Sequence, residues 1–458
     1  MRASIAILVV LGCTLQACSH LPQLPSPPQG LPRAEDVPVA LGQAYAVTLR
    51  REDVLRLLPG HNLAIAQAQA QVATQKALLA GSWQGLLPVW MPAWSAAHSE
   101  GATSSPHGLV LSRESYAWSS AMWSWVINPG QAVFDLLLAR QRLLRSQDEA
   151  RHVRDETIHQ ALRQYDELQL ARAQLLNAAV ALQQSEELLR LERVRWRAGA
   201  GLLADELRAQ TAVDRARQDK LSAAYQFYQR SLAMAATLHL QAQTLVVPPA
   251  APLQLICLVE PPYELERMSS LALLQRADLA VLRRQLDIDS KKQAQLLAQN
   301  LSPQLQVQSV QVSPPPTGAP ADALIRQLRQ SVVVRWSASP VLGGQLQAAL
   351  AQRRQTQLAW AQSMDALNLQ LAQDLHSSEW LQQRLPLAEK TVKDAEQALQ
   401  LAMRQLQAGA GLTLDVLQAQ REAEAARLQW ATVVVRYNQA QEDLLDDLGL
   451  MQQLLPAA

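Results

Sequence analysis

A thirteen-residue string occurs twice in this chain. Residues 198–210 read Ala198-Gly199-Ala200-Gly201-Leu202-Leu203-Ala204-Asp205-Glu206-Leu207-Arg208-Ala209-Gln210. Residues 408–420 read Ala408-Gly409-Ala410-Gly411-Leu412-Thr413-Leu414-Asp415-Val416-Leu417-Gln418-Ala419-Gln420. Nine of the thirteen positions are identical at an offset of 210 residues, so whatever the first copy folds into, the second must fold into as well.

Upstream of each string runs a heptad. Leu168, Leu175, Leu182, Leu189 and Trp196 stand seven apart, with Ala171, Ala178 and Ser185 as a small-residue row beside them. The second copy has Leu385, Val392, Leu399 and Leu406, with Ala388, Ala395 and Ala402. A large row and a small row at a seven-residue period form a coiled-coil seam. No Gly or Pro interrupts Gln131 to Ala198, so this stretch reads as one helix on the order of 100 Å long. Gly199-Ala200-Gly201 then turns the chain, and the helix returns from Leu202 to about residue 243. The second hairpin is expected from about Gln345 to Leu454, with a kink or break at Pro386.

Each hairpin is preceded by a shorter helix (63–80 and 276–299) and a strand-like zone. Val332 to Ala338 alternates apolar and polar residues, as the wall of a water-filled membrane barrel requires. Gln304 to Val312 alternates with a phase change near Ser309. In copy one, 87–98 and 116–126 alternate poorly, and a Ser/Gly/Pro-rich loop is expected between them. Aromatics make up only 4% of the chain, yet 11 residues are Trp. Trp90, Trp94, Trp118, Trp123 and Trp125 cluster in one region, and Trp336 lies in the copy-two zone. Indole rings gather in this way at a membrane interface.

The N-terminus reads as an export signal, with Arg2 before a short apolar run from Ile5 to Leu11. Leu15-Gln16-Ala17-Cys18 resembles the bacterial lipobox, which implies lipidation (palmitate) of Cys18 as the first mature residue; Ser19 after it favours the outer membrane. The boundaries read as signal peptide 1–17, lipidated Pro-rich tether 18–45, repeat one 46–245, crossover linker 246–262 and repeat two 263–458. The mature chain keeps only Cys257, so no disulfide framework or Cys-based metal site is expected. Formal net charge is +1 with the signs interspersed, which makes nucleic acid a poor partner. There is no phosphate loop, nucleophile elbow or zinc-type spacing. Accordingly no enzyme activity, cofactor or metal is expected, and His152 and His159 read as a solvated stripe on one helix face.

The lipobox, the doubled architecture and the paired Gly-x-Gly-Leu-x-x-Asp-x-Leu-x-Ala-Gln strings resemble the outer membrane factor (TolC-like) family, lipoprotein branch, over nearly the whole mature chain. The resemblance implies a mainly α fold joined to a membrane β-barrel: long coiled-coil hairpins, and four strands per protomer in a 12-stranded barrel closed by a homotrimer. It implies an efflux or type I secretion conduit docked to a periplasmic adaptor and an inner-membrane pump. By position, Asp415 would ring the periplasmic aperture and Asp205 would help hold it closed; an acid at a helix N-terminus also serves simple capping. Gly199, Gly201, Leu202, Gly409, Gly411 and Leu412 would form the adaptor-docking tips. The family's closing latch has Tyr and Arg where this chain has Leu406 and Gly411, so any lock must be built from other residues. The competing reading is a periplasmic coiled-coil scaffold or adaptor lipoprotein without a pore; a further one is a family member whose barrel no longer conducts.

Overall fold

A computed structural model describes residues 45–83, 86–105, 108–241, 244–249, 253–259, 264–313, 327–336 and 341–455. The export signal, Cys18 and most of the tether lie outside the described residues, as do parts of the linker. The chain divides into two compact units, each drawing on both sequence copies. One is helical and comprises residues through Ala70, Glu149–Ala280 and Ser363–Ala458; the other, Gln71–Asp148 and Val281–Gln362, carries the strands.

In chain order the elements are β1 (Tyr45–Thr48), α1 (Arg51–His61), α2 (Leu63–Ser82), β2 (Val89–Ser105), β3 (Gly108–Ile127), α3 (Pro129–Arg197) and α4 (Leu203–Thr237). Copy two follows with β4 (Thr244–Val247), α5 (Leu265–Gln275), α6 (Ala277–Leu301), β5 (Gln304–Ser313), β6 (Gln327–Arg335), α7 (Leu342–Gln407) and α8 (Thr413–Asp447). A 3₁₀ turn, Met451–Leu454, closes the described chain. Helices α4 and α8 match end for end at the 210-residue offset.

In the helical unit most of the heptad rows are buried: Leu168, Leu189, Ala171, Ala178 and Ser185 of α3, and Leu399, Leu406 and Ala388 of α7, whereas Trp196, at the end of the first large row, is exposed. Toward the turns the four hairpin helices share one apolar cluster, in which Leu189 and Val213 meet Leu406, Val416 and Ala423. The other end is closed by elements the sequence reading did not separate. Strand β1 pairs in parallel with β4, Tyr45 opposite Thr244 through Thr48 opposite Val247. This two-stranded ribbon packs with α1, α3 and α4 around Leu58, Ile158, Leu162 and Met234. The linker boundary at 246 therefore falls inside a strand: Val246 and Val247 are buried apolar residues, not linker.

Pro386 does not end α7, which runs continuously through it. A proline forfeits one amide hydrogen bond, and a helix of 66 residues retains every other turn around the gap. Leu381 and Ala388, on either side, are both buried against Val433 and Tyr437 of α8, so packing keeps the helix continuous across the defect.

In the other unit the strands form one antiparallel sheet in the order β2-β3-β5-β6. The copy-one strands are longer than expected. Most of the residues read as loop between 98 and 116 are paired in the β2–β3 ladder, out to Ser105 opposite Gly108. The β6 strand begins and ends earlier than expected, and residues 337–338 lie outside the described set. Asn128 joins strand to helix: its Oδ1 accepts from the Gln131 amide at 3.0 Å, an N-cap with Pro129 at the first helical position. Its Nδ2 donates to the Gln299 carbonyl at 3.1 Å. A Cβ on Gly130 would lie 2.6 Å from the Ala298 carbonyl oxygen, so only glycine allows α3 to start this close to the end of α6.

Candidate functional site at the hairpin turns and the tryptophan-bearing sheet

Both turns are built alike. Gly199 and Gly409 have φ of 73° and 77°, the left-handed conformation glycine adopts without penalty. The Ala200 amide donates to the Arg195 carbonyl at 2.9 Å, and the Gly199 amide to Trp196 at 2.9 Å. The Ala410 amide likewise donates to Gln405 at 2.9 Å, and Gly409 to Leu406 at 3.1 Å. Each is a Schellman motif that satisfies the last carbonyls of the ascending helix. The second glycine of each pair is required for a different reason. A Cβ on Gly201 would meet the Trp196 amide nitrogen at 3.1 Å, and one on Gly411 would meet that of Leu406 at 2.9 Å. Leu202 and Leu412 follow in extended conformation as N-caps without a side-chain cap, and both are exposed.

The acids three residues on differ. Asp205 Oδ1 accepts from Arg208 Nη1 at 2.9 Å. Asp415 is exposed and has no ion pair among the described residues. The sequence reading missed Glu192. It is buried on α3 beneath the turns, where its Oε1 accepts from Arg195 Nη1 and from the Thr413 hydroxyl of the other hairpin, both at 3.0 Å. The heptad did carry a signal: Glu192 is the next member of the small-residue row Ala171, Ala178 and Ser185, all buried. Leu406, just before the second turn, is buried in the apolar cluster.

On the sheet, ladder register sorts side chains by face. Trp90 stands opposite Trp123, Trp125 opposite Val307, Ile127 opposite Leu305, and those two residues opposite Val332 and Val334. One face of this end of the sheet is therefore apolar across all four strands. The other carries Ser124, Gln304, Gln306, Gln308, Ser331 and Arg335, interrupted by Val89, Val126 and Val333. The alternation that looked poor strand by strand is clear across strands. Trp125 is half-buried, and its Nε1 donates to the Leu86 carbonyl at 3.0 Å; Trp90 and Trp123 are exposed. In the ladder Trp94 pairs with Ser119 and Trp118 with Ser95, although their side chains lie outside the described set. Trp336 is exposed one residue past β6. Among the described residues, strands β2 and β6 are edges without partners.

The histidine expectation holds for His152, which is exposed, and needs correction for His159. His159 is half-buried, and its Nε2 lies 2.7 Å from Asp443 Oδ1. Burial opposes its charge, but the Asp443 hydrogen bond and nearby Asp446 outweigh that and raise its pKa. Around it, Arg163 and Arg276 answer Asp443 and Asp447, so the cluster is charge-paired rather than a solvated stripe.

No protein-family model matches the sequence, and no curated protein does. The fold does match solved structures. The outer membrane protein VceC of Vibrio cholerae superposes with a TM-score of 0.73 at 18% identity, over 87% of this chain and 96% of that one. The Campylobacter jejuni CmeC outer membrane channel gives 0.75 at 14%, over 87% and 85%. The open state of the Neisseria gonorrhoeae MtrE outer membrane channel gives 0.72 at 17%, over 93% and 98%. The fold of this chain is that of the outer membrane factor, TolC-like channels.

Proposed function

We propose that this chain is one protomer of a homotrimeric outer-membrane channel serving a tripartite efflux or type I secretion system. The observation that carries the reading is the four-stranded sheet. It has one apolar, tryptophan-bearing face and two unpaired edges. Open edges cannot stand in lipid, because each unpaired amide and carbonyl there costs several kcal/mol. Three copies, each contributing four strands, would close the wall and leave no edge. Among the described residues no helix is long and apolar enough to cross a membrane, so in this reading the membrane segment is the sheet.

The remaining assignments follow from the same reading. Cys18 carries the lipid anchor in the outer membrane. The turns at Gly199–Leu202 and Gly409–Leu412 dock a periplasmic adaptor that connects to an inner-membrane pump. Asp415, exposed and without an ion pair among the described residues, supplies the three-carboxylate ring at the periplasmic aperture, where like charges draw cations. Asp205, already paired with Arg208, braces the turn. Thr413 and Glu192 take the place of the missing Tyr/Arg latch. Planar-bilayer recording tests this: Asp415→Ala lowers cation preference while leaving single-channel steps intact. Unchanged selectivity removes the aperture assignment, and absence of any conductance in the native protein removes the channel.

A further inference from the structure

Two carboxyl groups lie buried against a single guanidinium in the helical unit. Asp166 on α3 and Glu442 on α8 are 1% and 0% exposed. Arg51, the first residue of α1, reaches both: its Nη1 lies 3.6 Å from Asp166 Oδ1, and its Nη2 bonds Glu442 Oε1. Both Asp166 oxygens and Glu442 Oε2 are buried and meet no N–H or O–H donor. A carboxylate can only accept. If both acids were ionised, the site would hold a net buried negative charge with three orphaned acceptors, a state burial strongly disfavours.

The internal repeat shows that the fold does not demand this arrangement. Along the hairpins the offset is 210 residues, and between α1 and α5 it is 214, so the positions equivalent to Arg51, Asp166 and Glu442 are Leu265, the first residue of α5, His376 and Leu232, and all three side chains are exposed. Only one of the two quasi-equivalent places carries the cluster, and there it joins the first hairpin to the second through α1.

We propose that Asp166 and Glu442 form a proton-binding site: together they hold one proton against Arg51, and its release loosens the tie between α1, α3 and α8. Burial pushes Asp166 up to about 7, with Arg51 opposing, and burial followed by the Asp166 charge raises Glu442. The charged and titratable groups facing the site are Asp53 of α1, Tyr165, His159 and Arg163 of α3, and Asp443 of α8. Tyr165 donates to the Leu49 carbonyl and, pushed up to about 12 by burial, stays protonated across the range. Since the folded-state value lies above the ordinary 3.8, the stabilisation is complete below pH 4 and is lost as pH rises through about 7. The inference does not depend on the channel reading, and neither falls with the other.

Hydrogen exchange of the full-length protein at pH 5.5 and 8.5, corrected for intrinsic rates, tests it. In the native chain protection over residues 51–58 and 438–445 falls by about tenfold or more between the two, a pKa unit being tenfold in population. Asp166→Asn, a permanent mimic of the protonated acid, abolishes most of that fall and leaves the chain better protected than native at pH 8.5. Glu442→Gln acts in the same direction. Coincident native and variant profiles overturn the proposal. Difference infrared spectra between an Asp374→Asn/Asp447→Asn background, which removes two further acids of raised pKa, and the same background with Asp166→Asn and Glu442→Gln supply a second readout. A protonated carboxyl band present at pH 5.5 and gone by pH 9 is expected, and its absence at pH 5.5 also overturns the proposal.

Discussion

The two hairpins share a backbone plan and distribute charge in opposite ways. Near its turn, hairpin one is ionic: Arg193 pairs with Glu206 at 3.2 Å and Arg208 with Asp205 at 2.9 Å. The equivalent positions to Arg193 and Glu206 in hairpin two are Met403 and Val416, in the apolar cluster. At the far end the pattern reverses. In hairpin one, Asn62 Nδ2 donates to the Thr237 carbonyl at 3.0 Å and the Thr237 hydroxyl to Gln164 at 2.6 Å. Their counterparts are Arg276, Asp447 and Asp374. Arg276 Nη1 donates to Asp447 at 3.1 Å, and burial followed by neighbouring Asp374 raises the pKa of Asp447. Midway, the copies agree: Arg217–Glu186 at 3.4 Å is repeated as Arg427–Glu396 at 2.8 Å. The lesson is that the coiled-coil seam is fixed by packing, while each end has been adapted to a different environment.

The sharpest break in the symmetry is at the close of each hairpin. Gly449 has φ of 70°, and a Cβ there would lie 2.7 Å from the Arg276 amide nitrogen. Its counterpart is His239, at φ of 51°. Gly449→Ala is expected to cost about 3 kcal/mol or more, combining a left-handed conformation with a backbone clash. His239→Gly should be near neutral or stabilising by about 1 kcal/mol. Denaturation midpoints of the two variants check the pair; equal effects would show that the two ends are not built as described.

Next in size is the exchange of one end for the other. Asp447 is pushed up to about 8 by burial and then by Asp374. Its stabilising share is therefore complete below the ordinary value of 3.8 and is lost as pH rises through about 8. Replacing Arg276→Asn, Asp374→Gln and Asp447→Thr together installs the neutral hairpin-one set. Stability between pH 5 and 8.5 should then fall less steeply than in the native chain, and an unchanged slope would place the titration elsewhere. Smaller still is Thr413→Val, which removes the bond to buried Glu192 and costs about 1–2 kcal/mol. Leu203→Val, at the equivalent and exposed place, should change the denaturation midpoint little.

Much of this was legible in the sequence. The doubled string located both turns to the residue, and the heptads located the seam, because both features are local and periodic. Expectation failed where tertiary context decided. The four-residue strands β1 and β4 pair across some 200 positions and sit beside a Pro-rich run that masked them. Pro386 looked like a break because a helix read alone cannot show the packing of Leu381 and Ala388. The apolar face of the sheet emerged only from register, since Trp123, Trp125 and Ile127 find their company on β5 and β6. Glu192 was marked only by its place in the small-residue row after Ser185, and Asp166 and Glu442 carried no mark: a buried acid has the same letter as a solvated one.

The central claim is that the sheet's two open edges are completed by neighbouring copies of the same chain. Native mass spectrometry of the detergent-extracted full-length protein tests it most directly. The account predicts a species of three protomers that persists at high dilution and collapses to single chains on heating. A stable, folded single chain as the only species from outer-membrane fractions would contradict it.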